Sequence, residues 1–374
     1  MRAGLYVHIP FCVTKCPYCA FHSITDRSRR REVSAAITKE AALRSERLGP
    51  FDTLYIGGGT PSCLEIELLA ELVDGLAARL PLAPPWSDGV EWTVELNPDD
   101  VTPELLAGLR GLGFGRVSLG VQSLRDEELA FLGRRHDART AERAIETARE
   151  AGFPELSLDL MYGLGPEQID REWRESLDRA LAFEPEHLSC YQLTISDDTP
   201  FHERASRGEL RRLDEERAAA LFRLTSGHLS ARGYEHYEVS SFARGPEHRA
   251  RHNRKYWRHV PYLGLGPGAH GFDGARRWWN VTDIGEYVER VGRGETPEAG
   301  SEVLTPDQLR LEALFLGLRT SDGVPLDVLR GIARWEDTAR ELESEGLARL
   351  TGDHLVPTLD GLLLADALPL RFDV

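Results

Sequence analysis

The sequence predicts an α/β protein, an open or partial TIM-like barrel of six βα units, (βα)6, followed by a small winged-helix-like α+β module. Three observations predict it. Short β-branched or aromatic runs alternate with helical stretches, which implies a parallel sheet. Polar residues gather just after those runs, where a parallel barrel keeps its functional groups. A group of short helical patterns with a terminal hairpin closes a chain of 374 residues, long enough for a barrel and an appendage.

In chain order, the buried strands are expected over residues 5–9, 53–56, 91–96, 116–121, 156–162 and 187–194. Helices are expected over 31–48, 65–80, 103–112, 126–132, 138–151 and 168–182. The third helix has the clearest start: Thr102 can cap, Pro103 takes the first helical position, and Gly111 and Gly113 mark the end. A last strand is expected within 234–242. Gly264-Leu265-Gly266-Pro267-Gly268 is no dinucleotide fingerprint, because Pro267 stands where a helix should begin. A boundary falls near 292–305, and helices at 308–319, 325–334 and 338–345 then precede a hairpin at 348–357 turning at Thr351-Gly352-Asp353. The expected units are therefore 1–243 (barrel), 244–300 (connecting segment) and 301–374 (small domain).

Lys and Arg number 45 against 61 Asp and Glu, a formal charge of -16, which argues against a surface built to neutralise phosphates. The small C-terminal unit, with 14 acidic and 7 basic residues, is an equally poor fit to DNA. No apolar run approaches the roughly 18 uncharged residues of a membrane span, and the N-terminus lacks signal-peptide character, so a cytoplasmic protein is expected.

Three of the five cysteines form Cys12-x-x-x-Cys16-x-x-Cys19, directly after the first strand, in a loop tightened by Pro10 and Pro17. Clustered thiols in a reducing compartment point to metal rather than disulfides. Thiolate sulfur is the ligand that iron–sulfur clusters require, and three ligands for a four-iron cluster leave one iron open to an outside group. The alternatives are a zinc site completed by His8 or His22, or three structural thiols that happen to lie close together. Cys63 and Cys190 read as small buried hydrophobes.

The loop Tyr6-Val7-His8-Ile9-Pro10-Phe11-Cys12, the cysteine spacing and Gly57-Gly58-Gly59-Thr60-Pro61-Ser62 resemble the radical SAM superfamily, and more narrowly its HemN/HemW family. Glu95-Leu96-Asn97-Pro98, Leu119-Gly120-Val121-Gln122-Ser123, Asp159-Leu160-Met161-Tyr162-Gly163 and Tyr191-Gln192-Leu193-Thr194-Ile195 extend the likeness over most of the chain. The resemblance implies a radical SAM barrel, a [4Fe-4S] cluster on Cys12, Cys16 and Cys19, and S-adenosylmethionine at Tyr6, Phe21, Gly58, Gly59, Thr60, Glu95, Gln122, Arg134 and Asp159. The residues themselves argue the same way for several of these. Glycines after a buried strand let backbone approach a ligand closely, and no phosphate-loop lysine follows them. Glu95, Gln122 and Asp159 end different strands, so a barrel brings them to one mouth, where carboxylates can pair with a ribose or an ammonium group. By itself Arg134 reads as a solvated cation at a helix end. The family's oxygen-independent coproporphyrinogen III oxidases carry a further cysteine where Phe21 stands here, which favours the haem-chaperone branch.

A second constellation, His252-Asn253-x-x-Tyr256-Trp257 followed by Tyr262 to His270, resembles that branch's haem-binding HNxxYW motif. A neutral imidazole is a natural axial ligand, and either His252 or His270 is a candidate for it. Tyr256 and Trp257 offer aromatic faces to a macrocycle, and six cations between Arg244 and Arg258 (Arg244, Arg249, Arg251, Arg254, Lys255, Arg258) could pair with propionates. The resemblance implies a haem chaperone that delivers haem to apo-haemoproteins, some of them membrane-bound. The alternatives are coproporphyrinogen III oxidation and, from the Arg/aromatic strip, a radical SAM enzyme acting on RNA.

Overall fold

The computed structural model describes residues 2–165 and 168–374. Strands β1 (Ala3–Ile9), β2 (Phe51–Gly58), β3 (Glu91–Leu96), β4 (Arg116–Gln122), β5 (Glu155–Tyr162) and β6 (His187–Gln192) lie side by side in sequence order, each parallel to the next. Helices α1 (Arg30–Leu43), α2 (Ile66–Ala77), α3 (Pro103–Leu112), α4 (Asp126–Phe131), α5 (Ala138–Glu150) and α6 (Asp170–Leu181) make the crossovers. The expected six βα units are present.

Strand periodicity divides the residues between two environments. Leu54, Ile56, Val94, Val117, Leu119, Leu158 and Leu160 are buried against Leu69, Leu72, Leu106, Leu109, Ile145 and Leu177 of the helices. The opposite parity is polar and meets across the barrel interior: Ser118 Oγ donates to Asp159 at 3.3 Å, Ser157 Oγ lies 2.8 Å from His187 Nδ1, and Thr53 Oγ1 lies 2.8 Å from His252 Nδ1. The apolar core is thus a shell between sheet and helices, and the strand interior is left for a polar site.

Beyond β6, α7 (Pro200–Ser206) and α8 (Glu215–Ser230) lead to a hairpin, β7 (Glu235–Glu238) and β8 (Ser241–Ala243). This replaces the single strand expected over 234–242. β8 runs antiparallel to β6 and ends the parallel series.

The segment expected to be a connector is part of the sheet. It holds α9 (Arg251–Trp257), β9 (Tyr262–Leu265), β10 (His270–Phe272), β11 (Arg276–Asn280), α10 (Ile284–Gly292) and β12 (Glu298–Val303). β9 pairs parallel with β1, and β10, β11 and β12 extend the same sheet to twelve strands, so residues 301–303 lie in the sheet and not in the small domain. Gly266 explains the glycine run: its φ is +106°, and a Cβ there would stand 2.4 Å from the His8 carbonyl oxygen. Helix α9 crosses the N-terminal ends of three strands. The Glu91 carboxylate accepts from the N–H groups of Arg251 (2.8 Å) and His252 (3.0 Å), and Lys255 Nζ bonds Asp52 (2.6 Å) and the Arg2 carbonyl (2.7 Å).

The C-terminal unit follows the winged-helix order: α11 (Pro306–Gly317), β13 (Val324–Pro325), α12 (Leu326–Leu329), α13 (Trp335–Ser344), β14 (Ala348–Thr351), β15 (His354–Pro357) and α14 (Leu359–Leu363). Its sheet runs β13-β15-β14, over a core of its own that includes Leu314, Leu318, Leu329, Leu342 and Leu355. The hairpin turns where expected, but the helix expected over 325–334 is only four residues long. Asp322 clasps the unit to the barrel floor, accepting from Arg249 (3.0 Å), Arg254 (3.2 Å) and Arg258 (2.6 Å). Among the described residues no helix is long and apolar enough to cross a membrane.

Candidate functional site

The loop after β1 is pinned at its neck by Cys12 N–H to the Ile24 carbonyl (2.9 Å) and Ile24 N–H to the Pro10 carbonyl (2.8 Å). Cys12, Cys16 and Cys19, none of them in a disulfide, line one wall of a cavity of about 530 Å3 at the C-terminal ends of the strands. Thr60 Oγ1 donates to Cys12 Sγ at 3.5 Å and Arg134 donates to Cys16 Sγ at 3.3 Å. Burial pushes the Cys19 thiol up, and the neighbouring Cys16 and Cys12 add to this, so three thiolates here call for cationic compensation. An iron–sulfur cluster supplies it. Among the described residues no three His, Cys, Asp or Glu side chains gather as ligands of a single ion. His8 has both ring nitrogens engaged, Nδ1 with the Tyr6 hydroxyl and Nε2 with the His22 carbonyl, each at 2.9 Å. His8 is therefore not free to complete a zinc site, and the thiol set fits a cluster.

The glycine loop after β2 lies across from the thiols. Gly59 N–H donates to the Ile9 carbonyl (2.8 Å) and Thr60 N–H to the Phe11 carbonyl (2.7 Å), tying the two loops together. A Cβ at Gly59 would stand 2.7 Å from the Phe11 carbonyl oxygen, and one at Gly58, whose φ is +106°, would stand 2.4 Å from His8 Nδ1. Only a glycine backbone fits this cradle.

Glu95, Gln122 and Asp159, from the ends of β3, β4 and β5, meet on the cavity wall. Gln122 is held in a left-handed conformation (φ 64°) beside an irregularity in the β4–β5 register, a strained turn into the cavity. Desolvation by burial raises Glu95 to about 7, reinforced by Asp159 and opposed by the Tyr55 hydroxyl and the Gly58 N–H. Burial likewise raises Asp159 to about 6, against hydrogen bonds from Ser189 and Ser118. Two carboxyls with raised pKa values thus line one cavity, a charge that a sulfonium or an ammonium group would complement.

Arg134 is not a solvated cation. Its guanidinium reaches into the cavity, bonding the Asn97 side-chain oxygen, the Gly120 carbonyl (2.9 Å) and Cys16. Phe21, 71% exposed, stands on the cavity rim. Tyr6 departs from its expected place. It does not line the cavity and lies a tier lower, in register with Tyr55. The sequence reasoning missed Asn97, whose amide donates to Thr60 Oγ1 at 2.9 Å, and also Ser118, Tyr191 and Tyr55. Counting in steps of two from Glu95 and Gly57 would have found Asn97 and Tyr55.

The HNxxYW segment is α9, on the opposite end of the barrel. His252 is 1% exposed, with Nδ1 on Thr53 Oγ1 and Nε2 on the Tyr256 hydroxyl at 2.7 Å, and burial lowers it to about 3. The structure thus keeps this imidazole neutral and covered, while His270 is exposed on β10. Asn253, Tyr256 and Trp257 are half-buried, and Trp257 packs edge-on against Tyr237 at 5.8 Å. The six cations are largely committed within the protein: Arg244 to Glu184 (3.1 Å), Arg249 to Glu235 and Asp322, Lys255 to Asp52, and Arg254 and Arg258 to Asp322. Among the described residues only Arg251 of the six has no carboxylate partner. Five of the six expected propionate partners therefore already face a carboxylate of the protein itself.

A cysteine loop and a glycine cradle facing strand-end carboxyls across the mouth of a six-unit parallel barrel define the class: a radical SAM protein. The Radical SAM superfamily model matches residues 6–180, and the HemN C-terminal domain model matches residues 304–364. The chain is 38% identical over 372 residues to Heme chaperone HemW of Mycobacterium tuberculosis, covering 98% of this chain and 93% of that one. It is 36% identical over 323 residues to Heme chaperone HemW of Bacillus subtilis, covering 85% and 84%. This chain belongs to the HemW family. In fold it also matches the solved coproporphyrinogen III oxidase HemN of Escherichia coli, with a TM-score of 0.82 and 22% identity over 100% of this chain and 90% of that one.

Proposed function

We propose that this chain is a haem chaperone that carries a [4Fe-4S] cluster and S-adenosylmethionine, takes up haem and delivers it to apo-haemoproteins in the cytoplasm. The observation that carries the reading is the 38% identity, over nearly the whole chain, to proteins named Heme chaperone HemW. Phe21, in place of a further cysteine, supports it against oxidative decarboxylation of coproporphyrinogen III.

In this reading residues 1–243 hold the cluster and S-adenosylmethionine, 244–303 hold haem through His252, Asn253, Tyr256 and Trp257, and 304–374 brace the haem segment. Cys12, Cys16 and Cys19 are the cluster ligands. When bound, a cluster of this kind supplies an electron and an open iron that chelates the amino acid end of S-adenosylmethionine. The chain's own groups do the rest: the Gly58-Gly59 backbone admits that end closely, Glu95 and Asp159 balance its positive charge, Gln122 offers an amide, and Arg134 and Thr60 donate to the cysteine sulfurs. Phe21 covers the rim. His252 needs Tyr256 to release its Nε2 before an iron can take it.

Anaerobic reconstitution followed by parallel haem titration and coproporphyrinogen III turnover tests the reading. We expect stoichiometric haem binding, no protoporphyrinogen IX, and about a tenfold loss of haem affinity in His252→Ala, near 1.4 kcal/mol. A loss in His270→Ala instead moves the ligand to β10. Efficient turnover without haem binding refutes the chaperone reading in favour of the oxidase.

A further inference from the structure

The cofactor cavity and the floor helix α9 lie at opposite ends of the barrel, yet one side chain touches both. The Tyr55 hydroxyl donates to Glu95 Oε1 on the cavity wall at 2.6 Å. The same residue's ring stacks on the His252 imidazole, with centroids 5.1 Å apart and planes 28° apart. Both ends of the link are held from their far sides. Glu95 Oε2 accepts from the Gly58 N–H at 3.2 Å, and His252 is fixed by Thr53 and Tyr256. Tyr6 closes the flank, 6.2 Å from the Tyr55 ring and 6.5 Å from His252.

The column leaves no room for a side chain at the adjoining glycines. A Cβ at Gly57 would stand 2.7 Å from Glu95 Oε2 and 2.9 Å from the Tyr55 ring, and one at Gly4 would stand 3.2 Å from His252. The hydrogen bond ties the Glu95 carboxylate to Tyr55, and the Tyr55 ring lies against His252, so the three groups form one continuous contact. Packed side chains of this kind carry energetic coupling because they offer few arrangements.

We propose that Tyr55 is a positioning residue that couples occupancy of the cofactor cavity to the order of α9. A cation seated against Glu95 holds the carboxylate ionised, turning the Tyr55 hydrogen bond into a charge-assisted one and pinning the ring beneath His252. Since burial leaves Glu95 poised near neutrality, the ligand has something to change. Resting on the haem reading above, the consequence is that S-adenosylmethionine and haem are linked ligands, each altering the other's affinity by the same factor.

Hydrogen exchange of residues 251–258 in the anaerobically reconstituted full chain tests the coupling without haem. Saturating S-adenosylmethionine is expected to slow exchange in this segment about fivefold, at the lower end of allosteric couplings. Tyr55→Phe keeps the ring on His252 and loses the bond to Glu95, so its α9 response should vanish while it still binds S-adenosylmethionine. No effect of S-adenosylmethionine on α9 in the unmodified chain, or an undiminished response in Tyr55→Phe, overturns the proposal. Haem titration of the same proteins separates the two claims: an intact α9 response without haem binding supports the coupling and removes the haem reading alone.

Discussion

At the residue scale, Glu95 and Asp159 are set to respond to pH. Their carboxyls are raised to about 7 and about 6, so protons compete with a cationic ligand through the neutral range. S-adenosylmethionine affinity should rise from about pH 5.5 to 8 and then level off, as calorimetry of the reconstituted protein would record. Glu95→Gln should flatten the upper part of the curve and weaken binding by about 1–3 kcal/mol, the range for a hydrogen bond to a charged group. Equal affinity at both pH values would exclude these carboxyls as the cation's partners. The cysteines were legible in the sequence because their ligand spacing is local. The contacts of Asn97 were not, because its partners Thr60 and Arg134 each lie 37 residues away in the chain and only the barrel brings them together.

At the element scale, local signals succeeded where they were strong. Helix α3 spans the expected residues because Thr102 caps it through the Leu105 N–H, Pro103 opens it, and Gly113 closes it at φ 103°. The sixth strand was expected to run to residue 194 but stops at Gln192. Leu193 and Ile195 leave the sheet to join a small cluster around Phe201, and an apolar run does not say which core it enters. Helix α9 carries the clearest prediction here. Asp322 binds three of its neighbouring guanidinium groups, and these pairs are partly exposed. Asp322→Ala should cost about 1–2 kcal/mol, after allowance for solvent screening, and speed hydrogen exchange in α9. Unchanged stability and exchange would show that Asp322 does not hold the C-terminal unit against the floor.

At the scale of the whole molecule, buried titratable groups set the acid response. His8 and His236 are lowered to about 4, His252 to about 3, and His187 well below its usual value, all mainly by burial. Between about pH 6.5 and 4 the unfolded chain binds protons at these four histidines while the folded chain refuses them, so stability falls as pH falls. Glu95 and Asp159 act in the opposite sense in the cofactor-free protein, because the folded state keeps their protons longer. Four against two leaves these six groups a net difference of about two protons near pH 5, a slope of roughly 2–3 kcal/mol per pH unit, to which His22, His136, His228 and His270, also lowered by burial, add in the same direction. Urea midpoints at pH 7 and pH 5 measure it. A midpoint that does not move would mean that the histidines are solvated in the folded protein.

The sequence by itself determined the alternation of strand and helix, the cysteine loop and the glycine cradle, because each is written in residues close together in the chain and obeys a local rule of period, turn or ligand spacing. Tertiary structure alone decided what those parts meet. It gathered Glu95, Gln122, Arg134 and Asp159 around one cavity, withheld Tyr6 from it, and turned the expected connector into four strands of the main sheet. It also buried His252 against Thr53, 199 residues away, and committed the neighbouring arginines to carboxylates. Burial and pairing depend on partners that the fold supplies, and a motif read along the chain carries no record of them.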